Sequence, residues 1–545
     1  MSKQHYRWAA PGDVNAFFGL MLDNVADMLL TVGLLFLVFD FPTEFALQHM
    51  VPGTAIGVLV GDLLFFWIAI RTARKLGRDD VTAMPLGLDT PSTFGMVFFV
   101  LGPAFLHAKK ALTDGGLGLS IEEAARYAWH IGICSIVISG IFKLGFSLSS
   151  NWVRRVVPRA GLLGSLTAIA LVLISFLPFI EVLQHPVVGF TSMAIILTAL
   201  VAKLKLPFRI PGALGAMLVA GVIYYLMHAT GTLGEVQPAE FNPREALLPT
   251  GWLSVFRFQW LEVMGDAFHY LPIVIPFALA TVVGGIDCTE SAAAAGDEFD
   301  TNQIVGVEAV ATLIAGLCGG VIQSTPYIGH PAYKAMGGRA AYTLATALFI
   351  GSAGILGYFG YLYFLIPKAT IFPILIFIGL EITAQSFVAT KQKHYPAVVI
   401  ACIPALAALV VVYIDKIFGD AALWSNGITI ASLGASLQAE IQITRVLSAG
   451  FIMTSMIWSS ALAFIIDRRL RIAAAFFLVA ALFSLFGVIH SPLAGSPICL
   501  PWAQELVKAN ATDVPLRFAV AYLVISALLM GWSLLPQNDQ EATEA

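Results

Sequence analysis

Two stretches decide the fold: Met84-Pro85-Leu86-Gly87-Leu88-Asp89-Thr90-Pro91-Ser92 and Ser324-Thr325-Pro326-Tyr327-Ile328-Gly329-His330-Pro331, each a polar, proline-broken segment inside apolar sequence. They fall at matching places in two halves of the chain. In transporters built from inverted repeats, a matched pair of interrupted hydrophobic segments marks the substrate site. In hydrocarbon, non-helical backbone persists only where protein or a water-lined cavity satisfies its N–H and C=O groups, so two such breaks imply a polar pocket. Each segment also carries a helix start. Asp89-Thr90-Pro91 and Gly329-His330-Pro331 put proline where its missing N–H costs nothing and a polar residue in the preceding capping position. Two such starts, with their positive dipole ends converging, would favour an electron-rich ligand. The bland alternative is a pair of ordinary proline kinks in packed helices.

The rest of the composition agrees with a membrane location. Of 545 residues, 58% are hydrophobic and 12% charged, and the apolar runs recur at lengths that cross a bilayer. A window reading places spans near 17–39, 51–70, 91–106, 127–147, 160–180, 187–203 and 211–228, then a polar stretch from about 229 to 268. The second half gives 270–295, 304–322, a short 331–337, 341–362, 368–387, 396–414 and 447–466, with an added pair near 472–489 and 516–535. The expected fold class is therefore an all-α polytopic membrane protein, a 7+7 transmembrane inverted repeat with two broken half-helix segments, core and gate domains, and about two extra C-terminal helices.

The corresponding division is 1–12 as a cytoplasmic N-terminus, 13–230 as the first repeat, 231–268 as an extracytoplasmic connector, 269–466 as the second repeat, and 467–545 as the added pair and tail. Lys and Arg fall in every second loop, among them Arg71, Arg74, Lys75 and Arg78, then Lys334 and Arg339, then Arg468, Arg469 and Arg471. With both termini in the cytoplasm these clusters lie inside, as the positive-inside rule asks. The loop Asp297-Glu298-Phe299-Asp300 is the exception, and acidic residues weigh little in that rule. An inner or plasma membrane location follows. The first apolar run reads as a retained helix, with no cleavage-type pattern before it.

Charges inside the spans are few, and an ionised carboxylate in mid-bilayer is costly unless it meets a cavity or a partner. Asp23 and Asp27 sit in the first span with Asn24 between them, and Asp287, Thr289 and Glu290 sit in the eighth. Spacings of four and three put each pair of acids on one helix face. Such groups suit proton carriage, or Na⁺ coordination together with hydroxyl and backbone oxygens. Asp287, Thr289 and Glu290 are assigned to the coupling ion, with Asp23 and Asp27 as possible accessories. Asp89, Thr90, Ser92, Phe94, Ser324, Thr325, Tyr327 and His330 are assigned to substrate. Asp62 and Glu308 read as single acids met by backbone or a neighbouring helix. Gly284-Gly285 would let another group approach the eighth helix closely. The five cysteines (Cys134, Cys288, Cys318, Cys402 and Cys499) show no metal or disulfide spacing and read as small apolar residues.

Taken in order, the motifs resemble the xanthine/uracil permease superfamily, in particular its hypoxanthine/guanine permease branch, from about residue 13 to 466. The carrying features are Pro85-Leu86-Gly87-Leu88-Asp89, the run from Asn151 to Arg159, Arg209-Ile210-Pro211-Gly212-Ala213-Leu214, Ser291 to Gly296, and Thr325-Pro326-Tyr327-Ile328 with Gly337-Gly338-Arg339. The resemblance implies a core domain working against a gate domain, substrate between the third, eighth and tenth spans, and a homodimer. One departure stands out: the acids such permeases place in the eighth and tenth spans align near Gly284 and at Gly329. Sulfate and bicarbonate permeases share the fold and commonly lack the tenth-span acid.

The expected function is a secondary active transporter, H⁺- or Na⁺-coupled, carrying a nucleobase-like purine or pyrimidine by alternating access, or alternatively a small anion. A passive channel is a weaker alternative. No HExxH, CxxC or GxSxG pattern in a suitable context marks an enzyme, and no cofactor, resident metal or nucleic-acid partner is expected beyond the coupling ion, the substrate and the lipid bilayer.

Overall fold

A computed structural model describes residues 6–110, 116–148, 158–202, 204–207, 210, 212–233, 242–327, 329–388, 390–418, 423, 428–493, 501–502, 506 and 513–535. The run from Asn151 to Val157, Ile328 and Cys499 lie outside the described residues, as do the side chains of Arg159, Asp287 and Glu290. The protein is built almost wholly from apolar helices. Its first half runs α1 (Gly12–Phe39), α2 (Val51–Leu76), β1 (Leu86–Leu88), α3 (Thr90–Met96), α4 (Ile121–Ser147), α5 (Arg159–Ile169), α6 (Pro186–Ile196) and α7 (Gly212–Ala229). The second half repeats the pattern with α8 (Leu271–Ala294), α9 (Thr301–Leu317), β2 (Ser324–Pro326), α10 (His330–Ala335), α11 (Ala341–Ile355), α12 (Lys368–Val388), α13 (Cys402–Phe418) and α14 (Phe451–Ile466). Two further helices follow, α15 (Leu470–Leu485) and α16 (Asp513–Trp532). Several helices continue through tighter or wider turns, α3 reaching Lys109 by way of a π-helical stretch at Val97–Leu101.

Among the described residues, ten helices are long and apolar enough to cross a membrane, or up to twelve when the bent pairs at α11 and α14 each count as one span. The remaining spans of the sequence reading correspond to shorter apolar helices at α6, α9 and α15 and to the six-residue α10. Large apolar side chains stay exposed on the outer helices, for example Leu218, Val222 and Leu226 on α7 and Leu523, Val524 and Leu528 on α16. That is the surface an integral multi-pass protein offers to lipid.

The inverted repeat shows in who packs on whom. Exchanging the two halves turns α1 into α8, α2 into α9 and α4 into α11. Under that exchange the pairing of α2 with α11 becomes that of α9 with α4, and both are among the most extensive contacts in the molecule. Likewise α1 packs on α11 as α8 packs on α4, and α1 backs β1 as α8 backs β2. The strands pair antiparallel with Gly87 opposite Thr325, so a local two-fold through that pair relates the two strands.

The chain divides into two compact units, residues 1–153 with 174–380, and residues 154–173 with 381–545. The first contains both strands and the helices around them. In the second, α14 is the hub: Ser459 Oγ donates to the Ala160 carbonyl (2.6 Å) and Ser455 Oγ to that of Ala401 (2.6 Å). A β-carbon on Gly161 would meet the Ser460 side chain, so glycine lets α5 pack closely on α14. The added helices are keyed to α14 by polar contacts. The Tyr522 hydroxyl of α16 accepts from Trp458 Nε1 (2.9 Å) and meets His490 Nε2 (2.7 Å).

Candidate functional site

Three-residue strands buried among apolar helices leave backbone groups that hydrocarbon cannot satisfy, and each unmet group costs free energy. The ladder meets part of that demand, extended at its ends by Asp89 N to the Gln323 carbonyl (2.9 Å) and Tyr327 N to that of Pro85 (2.9 Å). The outward edges are met by side chains. On β1, Asp62 Oδ1 of α2 accepts the Leu86 N–H (3.1 Å), and Asn24 of α1 accepts the Leu88 N–H (3.1 Å) while donating to the Leu86 carbonyl (3.4 Å). On β2, Thr312 Oγ1 of α9 accepts the Ser324 N–H (3.2 Å), and Cys288 Sγ of α8 donates to the Pro326 carbonyl (3.2 Å). Proline at 326 has no N–H to satisfy. Asp62 is thus held by backbone, as the sequence reading had it.

From this ladder the two half-helices leave in opposite directions. α3 begins at once, its first turn capped by Asp89, whose Oδ2 accepts the Ser92 N–H (2.8 Å). α10 begins only after Tyr327 and Gly329, beside Thr82 rather than beside α3. The helix starts therefore do not converge on one point; they are held apart by the strands, and it is the strands that meet.

Around β1 the structure gathers Asp23, Asp27, Asp89 and Thr90. The Thr90 hydroxyl donates to Asp27 Oδ2 (3.0 Å), and the other oxygen of Asp27 is buried with no hydrogen-bond partner among the described residues. Asp23 lies against the backbone of Gly87, where a β-carbon would stand 3.4 Å from its Oδ2 and 3.9 Å from Cβ of Tyr327. Ser92 is fully buried and turned back onto the Asp89 carbonyl (3.1 Å). Phe94, fully buried, stacks parallel to Phe98 of its own helix. Tyr327 leans on Tyr333, their ring centroids 6.2 Å apart. Thr325 sits at the centre of the ladder. A small, mostly apolar cavity lined by Met28, Thr31, Thr54 and Val321 is bordered by none of these carboxylates.

Around β2 the chemistry differs. Lys143 of α4 is the one lysine or arginine that is fully buried among the described residues. Its Nζ lies 2.9 Å from Glu308 Oε1, 3.1 Å from the Ser324 carbonyl and 3.4 Å from Thr312 Oγ1. Gly285 makes room for the pair: a β-carbon there would stand 2.6 Å from Glu308 Oε2. The close approach that the Gly284-Gly285 doublet implied is made by this carboxylate. Asp287 and Glu290 belong to the backbone of α8, with their side chains outside the described residues; between them, the Thr289 hydroxyl donates to the Gly285 carbonyl (2.8 Å).

His330 lies outside this cluster. Its Nε2 meets the Thr82 carbonyl (3.2 Å) and Asp297 Oδ2 (3.4 Å), and its ring stands edge-on to Phe299. Asp297 is the centre of that second group, taking Lys334 Nζ (2.6 Å), Arg78 (3.2 Å) and the Thr82 N–H (3.0 Å). Burial pushes its carboxyl up, but the hydrogen bonds from His330, Lys334 and Thr82 outweigh burial and hold it below the usual carboxylate range. One residue of the acidic loop, Asp297, is thus a buried anchor for cations from two other segments.

Lys143 and Thr312 are absent from the sequence reading. A lysine inside an apolar span is a usable signal, because intramembrane cations are rare and paired. Placed near the expected end of its span, Lys143 also fits a side chain snorkelling to the interface. Nothing local to Thr312 distinguishes it from any other threonine in an apolar helix.

No family model and no curated protein matches the chain. Solved structures do. The transmembrane domain of a cyanobacterium bicarbonate transporter, BicA, is similar at 16% identity and a TM-score of 0.46, over 74% of this chain and 96% of that one. SLC26A9 is similar at 13% identity and a TM-score of 0.48, over 72% and 62%. The murine Slc26a9 anion transporter in its inward-facing state gives 13%, 0.41, 74% and 66%. The chain thus spans less than two thirds of the length of the two SLC26A9 chains. These likenesses correct the resemblance to the xanthine/uracil permease superfamily and its hypoxanthine/guanine branch: the matched structures are anion transporters, and no family model supports that branch. By its apolar helices the protein is an integral multi-pass membrane protein.

Proposed function

We propose that the protein is a secondary active carrier of a small anion, of the bicarbonate, sulfate or carboxylate type, moved by alternating access in symport with H⁺ or Na⁺. The observation that carries the reading is the start of α3 in the protein interior, beside a ladder that also holds the buried ammonium of Lys143. Helix starts favour negative charge through free N–H groups and the dipole. That position is already shared by Asp89, which caps the helix, with Asp23 and Asp27 close to the same strand. A further negative charge beside these acids is unfavourable until a proton or a metal cation is bound. Anion and cation therefore each raise the affinity for the other, and that reciprocity is what couples their movement.

In this scheme Asp287, Thr289 and Glu290 on α8 hold the coupling ion, and Asp23 and Asp27 are accessory sites for it. Thr90, Ser92, Phe94, Ser324, Thr325, Tyr327 and His330, with Asp89, line the substrate path. Proteoliposomes given labelled bicarbonate, sulfate or acetate under an imposed pH or Na⁺ gradient test it. Accumulation against the anion's own gradient is expected, and Asp287→Asn/Glu290→Gln should reduce uptake to downhill exchange. Uptake that never exceeds equilibrium in the unaltered protein, or accumulation unchanged in the double variant, contradicts the scheme.

A further inference from the structure

The groups that hold Lys143 are all oxygens. They are a carboxylate of Glu308, the backbone carbonyl of Ser324 and the hydroxyl of Thr312, each residue fully buried. The hydroxyl of the same Ser324 is buried with no hydrogen-bond partner among the described residues. Carboxylate, carbonyl and hydroxyl together are the donors a hard metal cation takes. No nitrogen or sulfur donor is among them. Here the cation at their centre is the end of a side chain that reaches in from α4. Its counterpart across the two-fold is different, because Asp62 uses one oxygen on the Leu86 N–H and the other is buried without a partner among the described residues.

We propose that the Lys143 ammonium is a built-in replacement for an exchangeable monovalent metal cation, so that Na⁺ does not occupy the Glu308, Thr312 and Ser324 oxygens in this protein. Shortening Lys143 to alanine then uncovers a Na⁺ site made by Glu308, Thr312 and Ser324. The inference stands on the oxygen set alone and is independent of which anion is carried. An unpaired buried carboxylate is strongly unfavourable, and that is the drive for the metal ion to enter once the ammonium is removed. Room for the ion and accompanying water comes from the deleted side chain.

The test is thermal unfolding of the full chain in detergent, in choline, potassium and sodium chloride at equal ionic strength, for the unaltered protein, Lys143→Ala, Lys143→Arg and Lys143→Ala/Glu308→Gln. A ligand that binds only the folded state raises the apparent Tm with its concentration. The expected result is a low Tm for Lys143→Ala in choline that rises saturably by a few degrees in Na⁺. Lys143→Arg and the double variant should show no such rise beyond that of the unaltered protein. Binding of radiolabelled Na⁺ should show an additional ion on Lys143→Ala. The same Tm in all three salts for Lys143→Ala overturns the proposal, as does a Na⁺ gain that survives Glu308→Gln. If Lys143→Ala unfolds in every salt, Na⁺ has failed to replace the ammonium and the proposal falls.

Discussion

The two broken segments share one backbone geometry and differ in the charges beside it. β1 and β2 are related by a local two-fold through Gly87 and Thr325, and each outer edge is met by side chains from both helices of the preceding pair. Yet Asp62 takes the Leu86 N–H where Thr312 takes that of Ser324, and three more acids crowd β1 while β2 carries a neutralised Lys143 and Glu308 pair. The duplication has kept the backbone and divided the charges. What an interrupted helix needs in hydrocarbon is fixed by its N–H and C=O groups, so that part is symmetric. Which ions it handles is set by side chains, so that part is free to diverge.

Breaking the charge pair should show the difference most strongly. Lys143→Met leaves Glu308 buried and alone, at an expected cost of about 3–5 kcal/mol in unfolding measured without Na⁺, and Lys143→Met/Glu308→Leu should recover most of it. A single-variant loss below about 1 kcal/mol would mean that β2 is held by packing alone. Next comes the edge of β1. Asp62→Leu leaves the Leu86 N–H unmet and should cost about 1–3 kcal/mol, whereas Asp62→Asn keeps an acceptor and should cost much less. Equal losses in the two variants would assign the effect to charge and not to the hydrogen bond. Thr312→Val makes the matching change on β2, leaving the Ser324 N–H unmet, and should likewise cost about 1–3 kcal/mol.

The smallest effect lies outside the ladder, at Asp297. Its folded carboxyl titrates below the unfolded one, so its contribution is complete above the unfolded pKa of about 3.9 and is lost as pH falls through the lower folded value. Apparent Tm should therefore show a drop below about pH 4 that Asp297→Asn makes shallower. A drop of the same size in that variant would move the acid sensitivity elsewhere. Asp80, drawn down to about 2 chiefly by its hydrogen bond from Arg78, is its more exposed neighbour and should contribute below that of Asp297.

Span positions, the doubled break and the capping of α3 were legible because each is local. Proline, glycine and a capping aspartate act within a turn of their own position, and apolar run length is set by the thickness of a bilayer. The paired acids of α1 were also legible from spacing, and they do lie by β1. The strand ladder was not, since nothing in Leu86-Gly87-Leu88 or Ser324-Thr325-Pro326 specifies a partner in the other half. Asn24, read as one of a polar trio, serves the backbone of β1. Lys143 and Glu308 acquire meaning only together, and they are brought together by the packing of α4 on α9. The contacts of His330 with Thr82 and Asp297 were not legible either, because both partners lie in distant segments.

The central claim is that the two broken segments meet as an antiparallel ladder with Gly87 opposite Thr325. Directly opposed residues of such a pair have α-carbons about 4.5–5.5 Å apart, within the range a disulfide spans. In a chain whose native cysteines are replaced, Gly87→Cys/Thr325→Cys should cross-link under mild oxidation, detected after cleavage between the halves, while Gly87→Cys paired with a cysteine at Ala332 should not. Failure of the first pair, or equal cross-linking by the second, would contradict the ladder and the site built on it.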